Sequence, residues 1–136
     1  MEDCIFCKIA NNEIPTTMVY QDNEVAVFLS IEAVVNGHLL IVPKAHYKDL
    51  SEIDPKVLTH MIEVINNEIY PLMKEKLGCD GLTIVQNNDY GQEIKHFHIH
   101  FIPRYTNDEV KHLSNREVLK DKNERNDLIK YMKEVI

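Results

Sequence analysis

Three histidines stand on alternate positions in the stretch HFHIHFI, at His96, His98 and His100, with apolar Phe97, Ile99 and Phe101 interleaved. On extended backbone successive side chains point to opposite faces, so the imidazoles share one face and the apolar residues the other. Imidazole titrates near neutrality, and it can therefore act as nucleophile, general acid or metal ligand without a large shift. The plainer reading is chance alternation on a half-buried strand. It carries the cost of desolvating three neighbouring imidazoles with no task for them. A second group lies at the N-terminus, where Cys4 and Cys7 form C-x-x-C in a chain with three cysteines. In a reducing compartment that spacing points to metal or redox chemistry more than to a structural disulfide.

These residues need elements to hold them. EIKHFHIHFIPR reads as a strand, preceded by the strand GLTIVQ and the loop NNDYG, and the two strands should pair antiparallel. Upstream, TMVYQDNEVAVFLSI reads as a hairpin turning at Asp22 and Asn23, and HLLIVP after Gly37 as a further strand stopped by Pro43. KAHYKDLSEI is expected to be a loop. Asp54 and Pro55 form a helix start, and Leu58, Met61, Ile62, Ile65, Ile69, Leu72, Met73 and Leu77 follow the helical period up to Gly78. Pro71 lies inside that helix and predicts a kink near Glu68. Ser114 with Glu117 forms a capping-box pattern ahead of a C-terminal helix, whose acids are read as a solvated face. The order of elements predicts an α+β architecture: an antiparallel sheet of about five strands with a long helix and a C-terminal helix on one side.

Composition bounds the function. The chain has 136 residues, suited to one domain with a real core, and 44% hydrophobic and 27% charged residues are those of an ordinary globule. No apolar run approaches the length that spans a bilayer. MEDCIFCKI opens with two acids and lacks the basic and apolar regions of a secretory signal, so the expected compartment is the cytoplasm. A net charge of −7 argues against binding a nucleic-acid polymer, but a single phosphate can still be held by backbone amides and imidazoles.

HFHIHFI meets in full the pattern H-φ-H-φ-H-φ-φ, with φ apolar, and in this it resembles the histidine-triad (HIT) nucleotide hydrolases and transferases. CIFCKI with the EIP and VY that follow, then NGHLLIVPKAH, then GQEIKHFHIHFIPRY are similar to successive blocks of the bacterial Hint-type branch. The resemblance runs from Cys4 to about Tyr105. It implies a single HIT-like domain over residues 1–136, with 106–136 a C-terminal extension.

The resemblance further implies that His98 attacks the α-phosphate of a purine nucleotide to form a nucleotidyl-histidine, while His100 assists the phosphate or the leaving group. Such a nucleophile needs one bare ring nitrogen, so the other nitrogen should donate its proton to a nearby backbone carbonyl. Gln92 and Asn87 match positions near the phosphate, although Asn87 and Asn88 also suit a plain turn. Phe6, Ile9, Phe28 and Ile31 match positions lining the base slot, where residue type alone would equally suit core. Ser30 departs from the pattern: relatives carry an aspartate that grips the ribose hydroxyls, and a serine cannot accept two hydroxyl hydrogen bonds as a carboxylate does. Glu32 is a candidate stand-in.

Cys4, Cys7, His46 and His96 match a tetrahedral, structural Cys2His2 zinc site, with buried thiols or a redox pair as the alternative. His38 is read as a structural residue at a strand edge. A homodimer formed through the long helix and a sheet edge is also implied. The leading function is hydrolysis of purine nucleoside 5′-phosphoramidates or related mixed nucleotides. The alternatives are a dinucleoside polyphosphate hydrolase, and a zinc-stabilised nucleotide-binding module with little or no catalysis.

Overall fold

Asp22 turns the chain between the first two strands. Its carboxylate accepts hydrogen bonds from the amides of Glu24 and Val25, at 2.8 and 2.9 Å, so the side chain closes the turn that the strands leave open. The computed structural model describes residues 3–110. The hairpin is β1 (Met18–Gln21) and β2 (Val25–Leu29), and β3 (Leu39–Pro43), β4 (Gly81–Gln86) and β5 (Ile99–Arg104) complete an antiparallel sheet in the order β1-β2-β3-β5-β4. The architecture is α+β, as expected from the sequence. The predicted C-terminal helix and the part of the extension beyond residue 110 lie outside the described residues.

The long helix packs on one face of the sheet. It starts as α2 (Pro55–Val64), with the Asp54 side chain accepting from the Lys56 amide, and its buried residues Met61, Val64, Ile65, Ile69 and Met73 meet Val25, Val27, Leu39, Ile41 and Phe101. Near Glu68, where Pro71 predicts a kink, the helix changes its hydrogen bonding. A single π-helical turn over Ile65–Ile69 precedes α3 (Tyr70–Leu77), and the Tyr70 amide bonds the carbonyl of Ile65, five residues back. The wider turn accommodates the residue that cannot donate, and backbone angles at both of its ends stay helical. Gly78, in the left-handed conformation, ends the helix.

A short helix unread in the sequence, α1 (Ile5–Ala10), lies on the opposite face. Its Phe6, Ile9 and Ala10 pack on Ala26, Phe28, Leu40 and Val42. The helices of the described residues therefore cover both faces of the sheet. Six residues are too few for a periodic signal. The helix starts where the Cys4 sulfur accepts from the Cys7 amide.

The fifth strand is shorter than the sequence suggests. It begins at Ile99, paired with Ile41 on one side and Gln86 on the other, and His96 to His98 precede it. The Phe97 amide instead reaches the carbonyl of Tyr47 at 2.7 Å, in the loop after β3. Side chains still alternate through this stretch, because Phe97, Ile99 and Phe101 all join the core beneath the long helix.

Candidate functional site

His98 and His100 open into one cleft of about 570 Å3 on the α1 face of the sheet. Its apolar wall is built by Phe6 and Ile9 from α1 and by Phe28 and Leu40 from the sheet. Ser30, Ile31 and Glu32 form one rim, and Asn87, Gly91 and Glu93 another. The Phe6 ring stands edge-on to both Phe28 and His98, with centroids 5.7 and 5.0 Å away. α1 thus makes the aromatic wall that meets the imidazole.

His98 is held by its own backbone. Its Nδ1–H donates to the carbonyl oxygen of His96 at 2.7 Å, leaving Nε2 bare in the neutral ring. Burial pushes its pKa down, which keeps the ring neutral near neutral pH, while the bond to His96 and the charge of Glu93 partly oppose that shift. Burial, with the nearby His98 and His38, pushes His100 down to about 4. The two rings lie 5.0 Å apart between centroids. The pair is two neutral imidazoles side by side in one cleft.

His38, immediately before β3, lines the same cleft and meets His100, Nε2 to Nδ1, at 3.0 Å. From the sequence alone it is expected only to be a structural residue at a strand edge. The contact joins residues 62 apart in the chain, and no local pattern announces it.

The remaining predicted residues divide. Asn87, Phe6, Ile9, Phe28, Ser30 and Ile31 all line the cleft, and Ile31 is 90% exposed at its mouth. Gln92 is buried and engaged within the loops: its side-chain amide donates to the Lys48 carbonyl at 2.7 Å, and its oxygen accepts from the Asp89 amide at 3.2 Å. It clamps the 87–92 loop to the loop after β3. Asn88 adds a second tie, accepting from the Leu50 amide at 2.7 Å.

On the far side of His98 the structure brings together Cys4, Cys7, His46 and His96, with one donor atom from each within 4.8 Å of all the others. His96 Nδ1 lies 3.3 Å from both sulfurs and 3.2 Å from His46 Nδ1, and Cys7 Sγ lies 3.3 Å from His46 Nδ1. Sulfur and nitrogen donors around one tetrahedral zinc ion are separated by about 3.5 Å, so the spacing fits. The His96 ring is oriented for this task, because its Nε2–H donates to the Pro43 carbonyl at 2.8 Å and Nδ1 faces the cluster bare. Burial pushes His96 down to about 4, and burial with the adjacent Cys4 thiol pushes Cys7 up to about 11. Two soft sulfurs and two neutral imidazoles form a set that could hold a metal ion.

The sequence model of the HIT domain matches residues 11–107. An uncharacterized HIT-like protein of Methanocaldococcus jannaschii is 44% identical over 127 residues, which cover 87% of this chain and 97% of the relative. Adenylylsulfatase HINT3 of Arabidopsis thaliana is 38% identical over 111 residues, or 78% of this chain and 54% of that protein. The crystal structure of a zinc-bound histidine triad family protein from Mycobacterium smegmatis superposes with a TM-score of 0.75 at 31% identity, covering 90% of this chain and 87% of that one. The family match takes in the sheet, the long helix and the three alternate histidines alike, and this chain belongs to the HIT domain family.

Proposed function

We propose that the protein hydrolyses purine nucleoside 5′-phosphoramidates or related mixed nucleotides at the α-phosphate, through a nucleotidyl-histidine on His98. The HIT family is one of nucleotide-binding hydrolases and transferases, and the M. jannaschii relative shares nearly half of the aligned residues. The observation that carries the reading is the bond from His98 Nδ1 to the His96 carbonyl, which leaves a bare Nε2 in a cleft beside a second imidazole. In the first step the Nε2 lone pair forms the N–P bond and the P–N bond to the leaving amine breaks. The amine departs with that electron pair and a proton from water. His100 donates a hydrogen bond to the phosphoryl group as charge develops. Water then attacks phosphorus and the P–Nε2 bond breaks with its electron pair returning to the ring; the proton lost by that water neutralises the hydroxide left in the first step, and the nucleoside monophosphate departs.

Charge separates the leading substrate from the runner-up. Among the described residues lining the cleft there is no lysine or arginine, whereas Glu32 and Glu93 both face it. That lining suits one phosphate with a neutral or cationic leaving group better than the chain of charges in a dinucleoside polyphosphate. In this reading Phe6, Ile9, Phe28 and Ile31 hold the base, Ser30 faces the sugar, Asn87 and Gln92 shape the phosphate loop, and a structural zinc ion joins Cys4, Cys7, His46 and His96. A cytoplasmic homodimer belongs to the same reading. Its support is the edge position of β4 with partly exposed Ile84, and among the described residues no helix is long and apolar enough to cross a membrane.

The test is a substrate panel with the zinc-loaded protein. A fluorogenic adenosine phosphoramidate should be turned over faster than dinucleoside polyphosphates, and rapidly quenched enzyme should carry the nucleotidyl mass on the peptide containing His98. His98→Ala should abolish both signals while nucleotide binding stays within a few-fold. Retained nucleotide binding with no turnover of any substrate by the wild-type protein would overturn the reading in favour of a binding module.

A further inference from the structure

His38 is tied to the cleft at both ring nitrogens. The amide of Val34 donates to its Nδ1 at 3.1 Å, and its Nε2 lies 3.0 Å from Nδ1 of His100. A backbone N–H can donate only to a bare ring nitrogen, so the His38 proton resides on Nε2. From there it points at His100 Nδ1, which must then accept. The proton of a neutral His100 is left on its own Nε2.

We infer that His38 is a positioning residue that sets the tautomer of His100, so that His100 presents an Nε2–H donor to the reacting phosphoryl group. The inference rests on the nucleotidyl-transfer reading for its purpose, but the tautomer itself follows from the two bonds. With the opposite tautomer, a bare His100 Nε2 would set a lone pair against an anionic phosphate oxygen, and the interaction would become repulsive.

The order originates in the loop that rims the cleft. Ile31 and Val34 line it, and the loop is closed by the Ser30 amide donating to the His38 carbonyl at 3.0 Å and the His38 amide donating to the Val35 carbonyl at 3.2 Å. Val34 therefore contributes its side chain to the cleft wall and its amide to the chain of bonds ending at His100. A substrate seated against this wall meets a donor that the same loop has oriented. The His38 and His100 rings are inclined at 48° with centroids 5.2 Å apart, a geometry set by the hydrogen bond rather than by stacking.

Two measurements test the inference. In protein carrying 15N-labelled histidine, long-range proton–nitrogen correlation spectra read each ring's tautomer directly. His100 is expected to show an acceptor-type Nδ1 and a protonated Nε2, and a proton on Nδ1 in the wild-type protein would overturn the assignment whether or not the protein is active. The second measurement compares two uncharged variants. His38→Leu removes the donor, whereas His38→Gln can still donate to His100 Nδ1. His38→Leu should lower kcat about 100-fold with KM nearly unchanged, and should mix the His100 tautomers. His38→Gln should recover most of the rate and the single tautomer. Equal losses of kcat in the two variants, with His100 unchanged in both spectra, would reduce His38 to a packing residue. Absence of wild-type turnover would count against the nucleotidyl-transfer reading alone, because the spectra still decide the tautomer.

Discussion

His96 serves His98 through its backbone and the Cys/His cluster through its ring: its carbonyl oxygen accepts from His98 Nδ1 at 2.7 Å, while its own Nδ1 faces Cys4, Cys7 and His46. One residue therefore links the Cys2His2 cluster to the orientation of the His98 ring.

Removing a donor from the cluster should reach both. Cys7→Ser is expected to lower zinc content below one ion per chain and to cost about 3 kcal/mol of stability, because metal binding energy is folding energy when the ligands come from distant segments. Turnover should fall as well, since the 96–98 stretch lies outside the paired part of β5. Elemental analysis, thermal unfolding and the phosphoramidate assay read the three effects together. Metal-free wild-type protein that melts at the same temperature as the zinc-loaded wild type would exclude a structural role for zinc.

Ser30 lines the cleft, and in the proposed binding mode it faces the ribose hydroxyls that a carboxylate would grip. Hydrogen bonds to a charged group contribute about 1.5–3 kcal/mol, so Ser30→Asp should lower KM about tenfold or more for a ribonucleoside substrate. The 2′-deoxy analogue should gain much less. An unchanged ratio of the two KM values would place the sugar elsewhere, with Glu32 the next residue to substitute.

Stability should depend on pH through Asp22 and His60, which lie 2.6 Å apart and tie the β1–β2 turn to α2. Burial alone would raise the Asp22 carboxyl, but the Glu24 amide, His60, Tyr20 and the Val25 amide together hold it down to about 2. The bond to Asp22 raises His60 above its ordinary value, against burial. The raised His60 stabilises the fold fully below its unfolded pKa, and the effect is lost as pH rises through the folded value. The lowered Asp22 stabilises above the ordinary carboxyl value of 3.8, and that effect is lost as pH falls toward about 2. His60→Gln should therefore destabilise most near about pH 5 and little near about pH 9 in urea unfolding. A pH-independent difference would remove the pair from the account.

Gly37 and Gly78 both adopt positive φ, at 89° and 62°, but they differ in space. A Cβ on Gly37 would run into the Leu77 side chain and lie 3.2 Å from Pro103, whereas one on Gly78 would meet nothing within 4 Å. Gly78→Ala should cost about 1 kcal/mol from backbone conformation alone. Gly37→Ala should cost more, about 2–3 kcal/mol, and should also lower turnover by shifting the adjacent His38. Equal destabilisation in chemical unfolding would show that Leu77 yields at no cost.

Much of the architecture is legible because it is local. The Asp22 turn, the β3 run stopped at Pro43, the Asp54–Pro55 helix start and the Gly78 stop each rest on the chemistry of a few adjacent residues, and the structure has all four. Pro71 shows where local rules fall short. Its missing donor predicts a disturbance near Glu68 but not its form: a single π turn over Ile65–Ile69 that leaves the apolar stripe of the helix on the sheet. The α1 helix was invisible for want of length, and the early end of pairing in β5 because Phe97 bonds a loop rather than a strand.

The sequence by itself determined the alternation of imidazole and apolar residues around Phe97, the C-x-x-C pair and the order of the five strands and the long helix, since each is set by neighbours along the chain. Only the tertiary structure decided which imidazole nitrogen is bare, that Gln92 clamps two loops, and that His38 reaches His100. Those outcomes depend on hydrogen-bond partners brought from distant segments, and a ring nitrogen takes its role from whatever faces it in space.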